Sequence, residues 1–230
     1  MPRSAGSRLL RAALLVSLPL LGGACDAVRE ARDATYTWHG TPMDPAREAP
    51  PLALTGGGGQ PFDLAAQRGK VTLVFFGYTR CPDVCPTTLA DWSRARAALG
   101  ADTAGVRFVF VSVDPERDTP ADADAYARRF HPAFVGVSGT PGEVAAVTGR
   151  WGVLAAPEAG GADAAADAPG HAGHDAGASA AAPPASTPAG ATLAHTARTF
   201  LVDQAGRLRV LYPQGTAPAG LAADLRHLLD

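Results

Sequence analysis

Two cysteines four positions apart, Cys81 and Cys85, are the residues of this sequence with the clearest capacity for chemistry. They follow the apolar run 71–76 and precede a helix-like segment, residues 87–99. A strand followed by a helix brings both sulfurs close to a helix N-terminus, where free N–H groups and the dipole favour thiolate over thiol. Side chains at this spacing on a helical turn can reach a disulfide or a shared metal ion. The pair can therefore be a dithiol, a disulfide or a metal clamp.

The elements that must position this pair alternate between strands and helices. Strands are predicted at residues 62–64, 71–76, 106–113 and 134–137, and helices at 87–99, Pro120–Phe130 and Pro141–Trp151. Residues 199–203 and 208–212 then predict a β-hairpin, and Pro218–Leu229 an amphipathic helix. This order predicts an α/β domain with a thioredoxin-like fold, in which a mainly parallel central sheet is flanked by helices and followed by a C-terminal hairpin.

The first residues have the form of an export signal. A positive start with Arg3, Arg8 and Arg11 leads into the apolar run 12–21 and the small residues 22–24. The apolar run is about ten residues long, which is typical of a signal peptide and too short to span a bilayer. Residues 1–24 therefore predict a signal peptide and an extracytoplasmic location.

The third cysteine, Cys25, directly follows this signal, at the place where bacterial lipoproteins carry their lipid. Such signals usually have leucine three positions before the cysteine, whereas Gly22 stands there, so ordinary cleavage after Ala24 is the alternative. Asp26 resembles the residue that retains lipoproteins in the inner membrane of some bacteria. The sequence thus predicts a lipid anchor at the extracytoplasmic (periplasmic) face of that membrane.

Composition shifts divide the remaining chain. Residues 25–59 lack a sustained apolar period and predict a flexible tether, in which His39 has no evident partner. Residues 60–230 predict the folded domain, interrupted at about 155–191 by a stretch poor in large apolar residues that predicts a disordered insertion. The net charge is -2 without a basic block, so nucleic acid is not expected as a partner.

Three motifs carry a family resemblance. They are FGYTRCPDVCP at residues 76–86, VSVDPERDTP at 111–120, and His195-Thr196 shortly before 200–203. Together they resemble the Sco/SenC family of thioredoxin-like, copper-binding proteins linked to assembly of the CuA centre of cytochrome c oxidase. The resemblance implies copper as the bound metal, Cys81, Cys85 and His195 as its ligands, and an oxidase subunit or another assembly factor as partner.

The chemistry of this ligand set agrees with the resemblance. Two thiolates and one imidazole are soft enough for Cu(I), while a structural zinc site normally takes four protein ligands and no fourth is evident. The expected role is a copper chaperone rather than an enzyme. The alternative is a thiol-disulfide oxidoreductase that reduces the cysteines of a copper-receiving partner. Such enzymes usually carry CxxC and a cis-proline, whereas this chain has CxxxC and residues 191–196 in that place.

Other polar residues allow both a functional and a structural interpretation. Asp83, between the cysteines, and Asp114, at the end of a predicted strand, can tune the thiolates or face a partner. Asp114 and the nearby Asp118 can instead serve in a turn or a helix start. The insertion carries His171, His174 and Asp175, which can capture metal or can be incidental. Family members commonly have an acidic residue before the ligand histidine, where this chain has Ala194.

Overall fold

The computed structural model describes residues 31–157, 193–195 and 197–230. The chain divides into two units, one ending at Thr37 and one running from Trp38 to Asp230. In the first, residues 31–35 form a short helix. Within the described ranges, no helix has the length and apolar character needed to cross a membrane. The predicted signal peptide and Cys25 lie outside the described residues.

An eight-stranded sheet forms the centre of the second unit, in the order β1-β10-β9-β4-β5-β6-β2-β3. Its strands are β1 (Thr41–Glu48), β2 (Ala53–Gly56), β3 (Pro61–Asp63), β4 (Val71–Gly77), β5 (Val106–Ser112), β6 (Val135–Ser138), β9 (Arg198–Val202) and β10 (Arg207–Pro213). A separate ladder joins β7 (Ala155–Pro157) to β8 (Leu193–His195). The helices of this unit are α1 (Val84–Leu99), α2 (Pro120–Phe130), α3 (Pro141–Trp151) and α4 (Pro218–Leu229).

The predicted α/β order and the C-terminal hairpin are both present. The hairpin is the antiparallel pair of β9 and β10. The expected parallel arrangement, however, is confined to β4, β5 and β6 at the centre. Antiparallel strands flank this centre, with β9 and β10 on one side and β2 and β3 on the other. The sheet is therefore mixed, with three parallel strands at its centre and antiparallel strands on both sides.

The predicted tether at residues 25–59 is wrong over its second half, because the sheet begins before residue 60. Strand β1 pairs with β10, and β2 pairs with both β3 and β6. Leu52 and Leu54 are buried in the core beside these strands. Of the predicted insertion, 155–191, only Ala155–Pro157 falls within the described residues, and it forms β7.

Local sequence explains where the helices begin and end. Thr119 and Thr140 cap α2 and α3 with reciprocal capping boxes to Asp122 and Glu143, and a proline follows each threonine. Gly152, with a φ of 65°, ends α3. Helix α1 begins at Val84, three residues before the predicted start, since a proline such as Pro86 is tolerated in a first turn that needs no N–H donor.

The core fixes the strand that leads to the cysteines. All seven residues of β4 are buried. Trp92 of α1 packs edge-on against Phe75, and its ring also contacts Phe108 and Phe134. Helix α1 is thereby held against β4 and β5, and the start of the helix lies at the end of the central strand.

His39 has a partner that the sequence did not reveal. Its ring Nδ1 lies 2.7 Å from Oδ1 of Asp224 on α4, and its backbone N–H donates to Oδ2 of the same residue at 3.1 Å. The Tyr212 hydroxyl donates to that oxygen at 2.8 Å. Asp224 is fully buried, so these donors replace the water that its carboxyl group loses on folding. His39 thereby ties the segment before β1 to the last helix.

Replacing His39 with alanine is expected to destabilise the fold. The substitution removes one donor from a buried carboxyl group but retains the backbone donor and the Tyr212 hydroxyl, which should lower the free energy of unfolding by about 1–2 kcal/mol. Urea denaturation measures this change. His131→Ala is the control, because its Nδ1 only accepts an exposed N–H from Ala133. Equal losses in the two variants would contradict a stabilising role for the His39–Asp224 contact.

Candidate metal centre

The two cysteines lie in one turn between the end of β4 and the start of α1. The backbone N–H of Cys81 donates to the carbonyl oxygen of Tyr78 at 3.3 Å, which closes the loop. The N–H of Cys85, in the first turn of α1, donates to Sγ of Cys81 at 3.4 Å. An amide of the helix N-terminus thus contacts the first sulfur directly, as the spacing predicted.

Both cysteines are thiols that form no disulfide, and both are buried. Cys81 is 9% exposed and Cys85 is fully buried, so both sulfurs lie beneath the surface at the helix N-terminus. The hydrogen bond with Cys81, followed by burial, raises the pKa of the Cys85 thiol above its ordinary value. These two effects outweigh the lowering of the Cys85 pKa by the helix N-terminus. Cys85 is therefore a neutral thiol in the reduced, metal-free protein.

Gly77 allows the sulfur of Cys85 to pack against the end of β4. A Cβ at this position would lie 2.6 Å from Sγ of Cys85 and 2.9 Å from the ring of Phe110. Both distances are shorter than carbon and sulfur can approach without displacement. Any side chain at Gly77 would therefore move the second sulfur or the aromatic core behind it.

Asp118 has a structural role in this region that the sequence did not predict. Its Oδ2 accepts the backbone N–H of Thr79 at 2.8 Å and the hydroxyl of Ser112 at 2.7 Å, and its Oδ1 accepts the Thr79 hydroxyl at 2.6 Å. Its carbonyl oxygen accepts the Ser138 hydroxyl at 3.0 Å. Asp118 is 1% exposed. The buried side chain thus binds the loop that carries the cysteines to the end of β5, and the carbonyl oxygen of Asp118 binds the end of β6.

A signal for this role was present in the sequence. In the Asp-Thr-Pro segment at 118–120, Thr119 is the helix cap and forms the capping box with Asp122. A second capping residue is not needed directly before it. The side chain of Asp118 is therefore available to accept hydrogen bonds from outside the helix cap. The sequence alone does not identify the donors.

Asp83 and Asp114 occupy different settings. Asp83 is exposed at the N-cap position of α1, and its carboxylate accepts the Thr87 hydroxyl at 3.4 Å. Asp114 is 3% exposed and forms an ion pair with Arg117 within the turn after β5. Burial raises the pKa of Asp114, although the hydrogen bond from Arg117 opposes that shift. These contacts give both residues a turn or helix-start role. A direct role in tuning the thiolates stays a prediction.

Tyr126 is a further buried group close to the cysteines. Its ring contacts Phe110 at a centroid distance of 5.1 Å, and its hydroxyl has no hydrogen-bond partner in the described part of the chain. Burial raises the pKa of Tyr126 above its ordinary value. A neutral phenol therefore lies in the apolar wall around the pair.

His195 is described through its backbone alone. It ends β8 and pairs with Ala155, so β7 and β8 join the two ends of the predicted insertion. His171, His174, Asp175 and Cys25 fall outside the described residues. Among the described residues, no group of three or more His, Cys, Asp or Glu side chains could hold a metal ion. The described site consists of the two thiols, and His195 as third ligand stays a prediction.

Comparison with known proteins identifies relatives of this arrangement. The sequence profile of the SCO1/SenC family matches residues 41–174. An SCO2-like protein of Rickettsia felis is 34% identical over 96 residues, which are 42% of this chain and 47% of that protein. The match thus spans about half the length of this curated relative.

Solved structures match over most of the chain. Apo Sco1 of Thermus thermophilus has a TM-score of 0.65 at 38% identity and covers 85% of this chain and 99% of its own. ScoI of Bradyrhizobium japonicum with copper bound has a TM-score of 0.61 at 35% identity and covers 80% of this chain and 100% of its own. These similarities confirm the predicted thioredoxin-like fold.

Proposed function

This chain belongs to the SCO1/SenC family, and we propose that it binds copper as cargo through Cys81, Cys85 and His195 and delivers it for assembly of the CuA centre of cytochrome c oxidase. The observation that carries the proposal is the hydrogen-bonded pair of buried thiols at the end of β4. The similar ScoI of B. japonicum binds copper, which supports copper for this chain.

The donor chemistry fits copper. Thiolate sulfur is a soft ligand that selects Cu(I), and the low exposure of the pair shields the bound ion from water and oxidants. The first sulfur accepts an amide N–H, which stabilises its negative charge when the metal replaces the proton. His195 would supply the third donor from the far end of the β7–β8 ladder.

We place the protein at the extracytoplasmic face of the inner membrane, anchored by lipid on Cys25. The support is the export signal at residues 1–24 with a cysteine directly after it. The partner at that face would be an oxidase subunit or another assembly factor.

The adjacency of the two thiols favours a second candidate function. A thiol-disulfide oxidoreductase needs two neighbouring sulfurs, and Cys81 and Cys85 share one turn. Cys81 would attack the partner's disulfide and form a mixed disulfide. Cys85 would then attack the sulfur of Cys81 and release the partner's second thiol. The chain would end as a disulfide and the partner as a dithiol, with two electrons and two protons transferred.

An anaerobic transfer experiment separates the two functions. The copper-loaded protein is mixed with a purified, metal-free CuA domain whose cysteines are reduced, and copper in each protein is measured after separation. Delivery predicts movement of copper to the acceptor. In a second reaction, the reduced, metal-free protein is mixed with the oxidised acceptor, and the appearance of thiols on the acceptor is measured over time.

His195→Ala supplies the discriminating variant. Under the delivery proposal it should weaken copper loading, while under the oxidoreductase function it should leave thiol exchange nearly unchanged. Retention of copper by the loaded protein, together with rapid reduction of the oxidised acceptor, would reject delivery in favour of the second function.

A further inference from the structure

A cleft with a volume of about 310 Å³ lies on the β1 side of the sheet, where the end of α3 meets β1, β9 and β10. Its floor is apolar and includes Phe200, Leu208 and Leu211. Three arginines stand around it: Arg47 from β1, Arg150 from the last turn of α3, and Arg198 from the start of β9. Apolar floor and cationic rim together are typical of a site for an anion with an apolar body.

The positive charge of this cleft is not neutralised within the described part of the chain. Arg47, Arg150 and Arg198 are exposed, and none of their three guanidinium groups forms an ion pair or hydrogen bond with the described residues. The one acidic residue of the rim, Glu48, pairs with Arg68 at 3.2 Å. Three unpaired guanidinium groups therefore border one small cavity, where a carboxylate can bond to more than one of them.

Trp151 forms part of the wall of this cleft. It is 6% exposed and packs against Phe76 and Phe200, so its ring is held in place by the core. A ligand in the cleft would therefore lie beside this ring, whose N–H resonance can report binding.

The end of helix α3 does not oppose an anion strongly. Helix C-termini carry partial negative charge on unpaired carbonyl groups. Here the N–H of Gly152 reaches the carbonyl oxygens of Gly149 and Thr148, and the N–H of Val153 also donates to Thr148. These bonds satisfy carbonyls of the last turn, and Arg150 adds a positive charge beside them.

We propose that this cleft binds a small organic anion, a carboxylate on a short apolar chain. The arginines would hold the carboxylate, and the chain would lie on Phe200, Leu208 and Leu211. The volume is at the lower end of the range of about 300–1,000 Å³ for small-molecule sites, whereas a protein segment would need a larger surface. Neither cysteine lines this cleft, and the proposal does not depend on the proposed copper function.

Isothermal titration calorimetry of the purified protein with octanoate tests the proposal. Acetate lacks the apolar chain and octanol lacks the charge, so each should bind at least about tenfold more weakly than octanoate. The double variant Arg150→Gln/Arg198→Gln should weaken octanoate binding by about tenfold or more. Arg128→Gln is the matched control, because Arg128 is exposed but pairs with Asp124 on α2. Circular dichroism checks that each variant is folded.

Indole N–H resonances locate the ligand without relying on a variant. The protein has three tryptophans, and Trp151→Phe identifies the Trp151 signal. Octanoate should shift the Trp151 resonance and leave the Trp92 resonance unchanged. Unchanged octanoate affinity in the double arginine variant, or an unmoved Trp151 signal, would overturn the proposal. Displacement of octanoate by polyglutamate but not by decanoate would overturn it in favour of an acidic protein segment.

Discussion

Replacing either Cys81 or Cys85 with serine is expected to abolish tight Cu(I) binding. Each substitution removes one soft ligand and leaves two donors at most, which is too few for a stable three-coordinate site. The loss should exceed about 100-fold, the upper end of what removing a residue that only orients a ligand costs. Anaerobic titration against a competing Cu(I) chelator measures the affinity, and His195→Ala should weaken it less than either cysteine variant.

Two controls make this result specific to the thiols. Cys25→Ser removes the third cysteine of the chain and should leave the copper affinity unchanged. Since Cys85 is fully buried, a serine hydroxyl there can also lower stability, and Cys85→Ala with urea denaturation separates that effect from ligand loss. Full copper binding by both Cys81→Ser and Cys85→Ser would remove the pair from the metal site.

Local sequence patterns were sufficient to predict much of the fold. Proline after a capping threonine marks the starts of α2 and α3, and the bounds predicted from sequence are the observed ones. The apolar run that became β4 is buried at every residue, as continuous runs in central strands are. These features depend on neighbouring residues alone, so the sequence states them directly.

The strands missed in the predicted tether are held by distant partners. Strand β1 has only exposed and half-buried residues and lies at the edge of the sheet, so it shows no apolar alternation. It pairs with β10 near the other end of the chain through backbone hydrogen bonds. The His39–Asp224 contact likewise joins residues 185 positions apart. Pairings of this kind carry no local signature.

The candidate site likewise has features that the sequence predicted and features that it did not. The cysteine spacing and the strand before it predicted where the two sulfurs lie. Their burial could not be predicted, because it results from Gly77, Phe110 and the first turn of α1 coming together. The role of Asp118 was missed for the same reason, since Thr79 and Ser112 reach it only once β4 and β5 are paired.

Asp118→Ala is expected to cause a large loss of both stability and copper affinity. It leaves the Thr79 N–H and the hydroxyls of Thr79 and Ser112 without their buried acceptor, and the free energy of unfolding should fall by about 3 kcal/mol or more. Thr79 lies two positions before Cys81, so a released loop also loses the geometry of the first ligand. Asp118→Asn should cost about 1 kcal/mol, because its amide oxygen can still accept two of these bonds while its NH₂ donates to the Thr79 hydroxyl.

Asp203→Ala is the matched control for this prediction. Asp203 is a buried carboxylate that accepts two backbone N–H groups in the turn after β9, and this turn lies beside the start of β4, whereas the cysteines follow its end. Its loss should reduce stability while leaving copper affinity close to that of the unmodified protein. Urea denaturation and Cu(I) competition on all three variants, measured below the onset of unfolding, provide the comparison. If Asp203→Ala weakened copper binding as much as Asp118→Ala does, the effect would be general destabilisation of the fold. A selective loss in Asp118→Ala, largely recovered in Asp118→Asn, would assign to Asp118 the positioning of the cysteine loop.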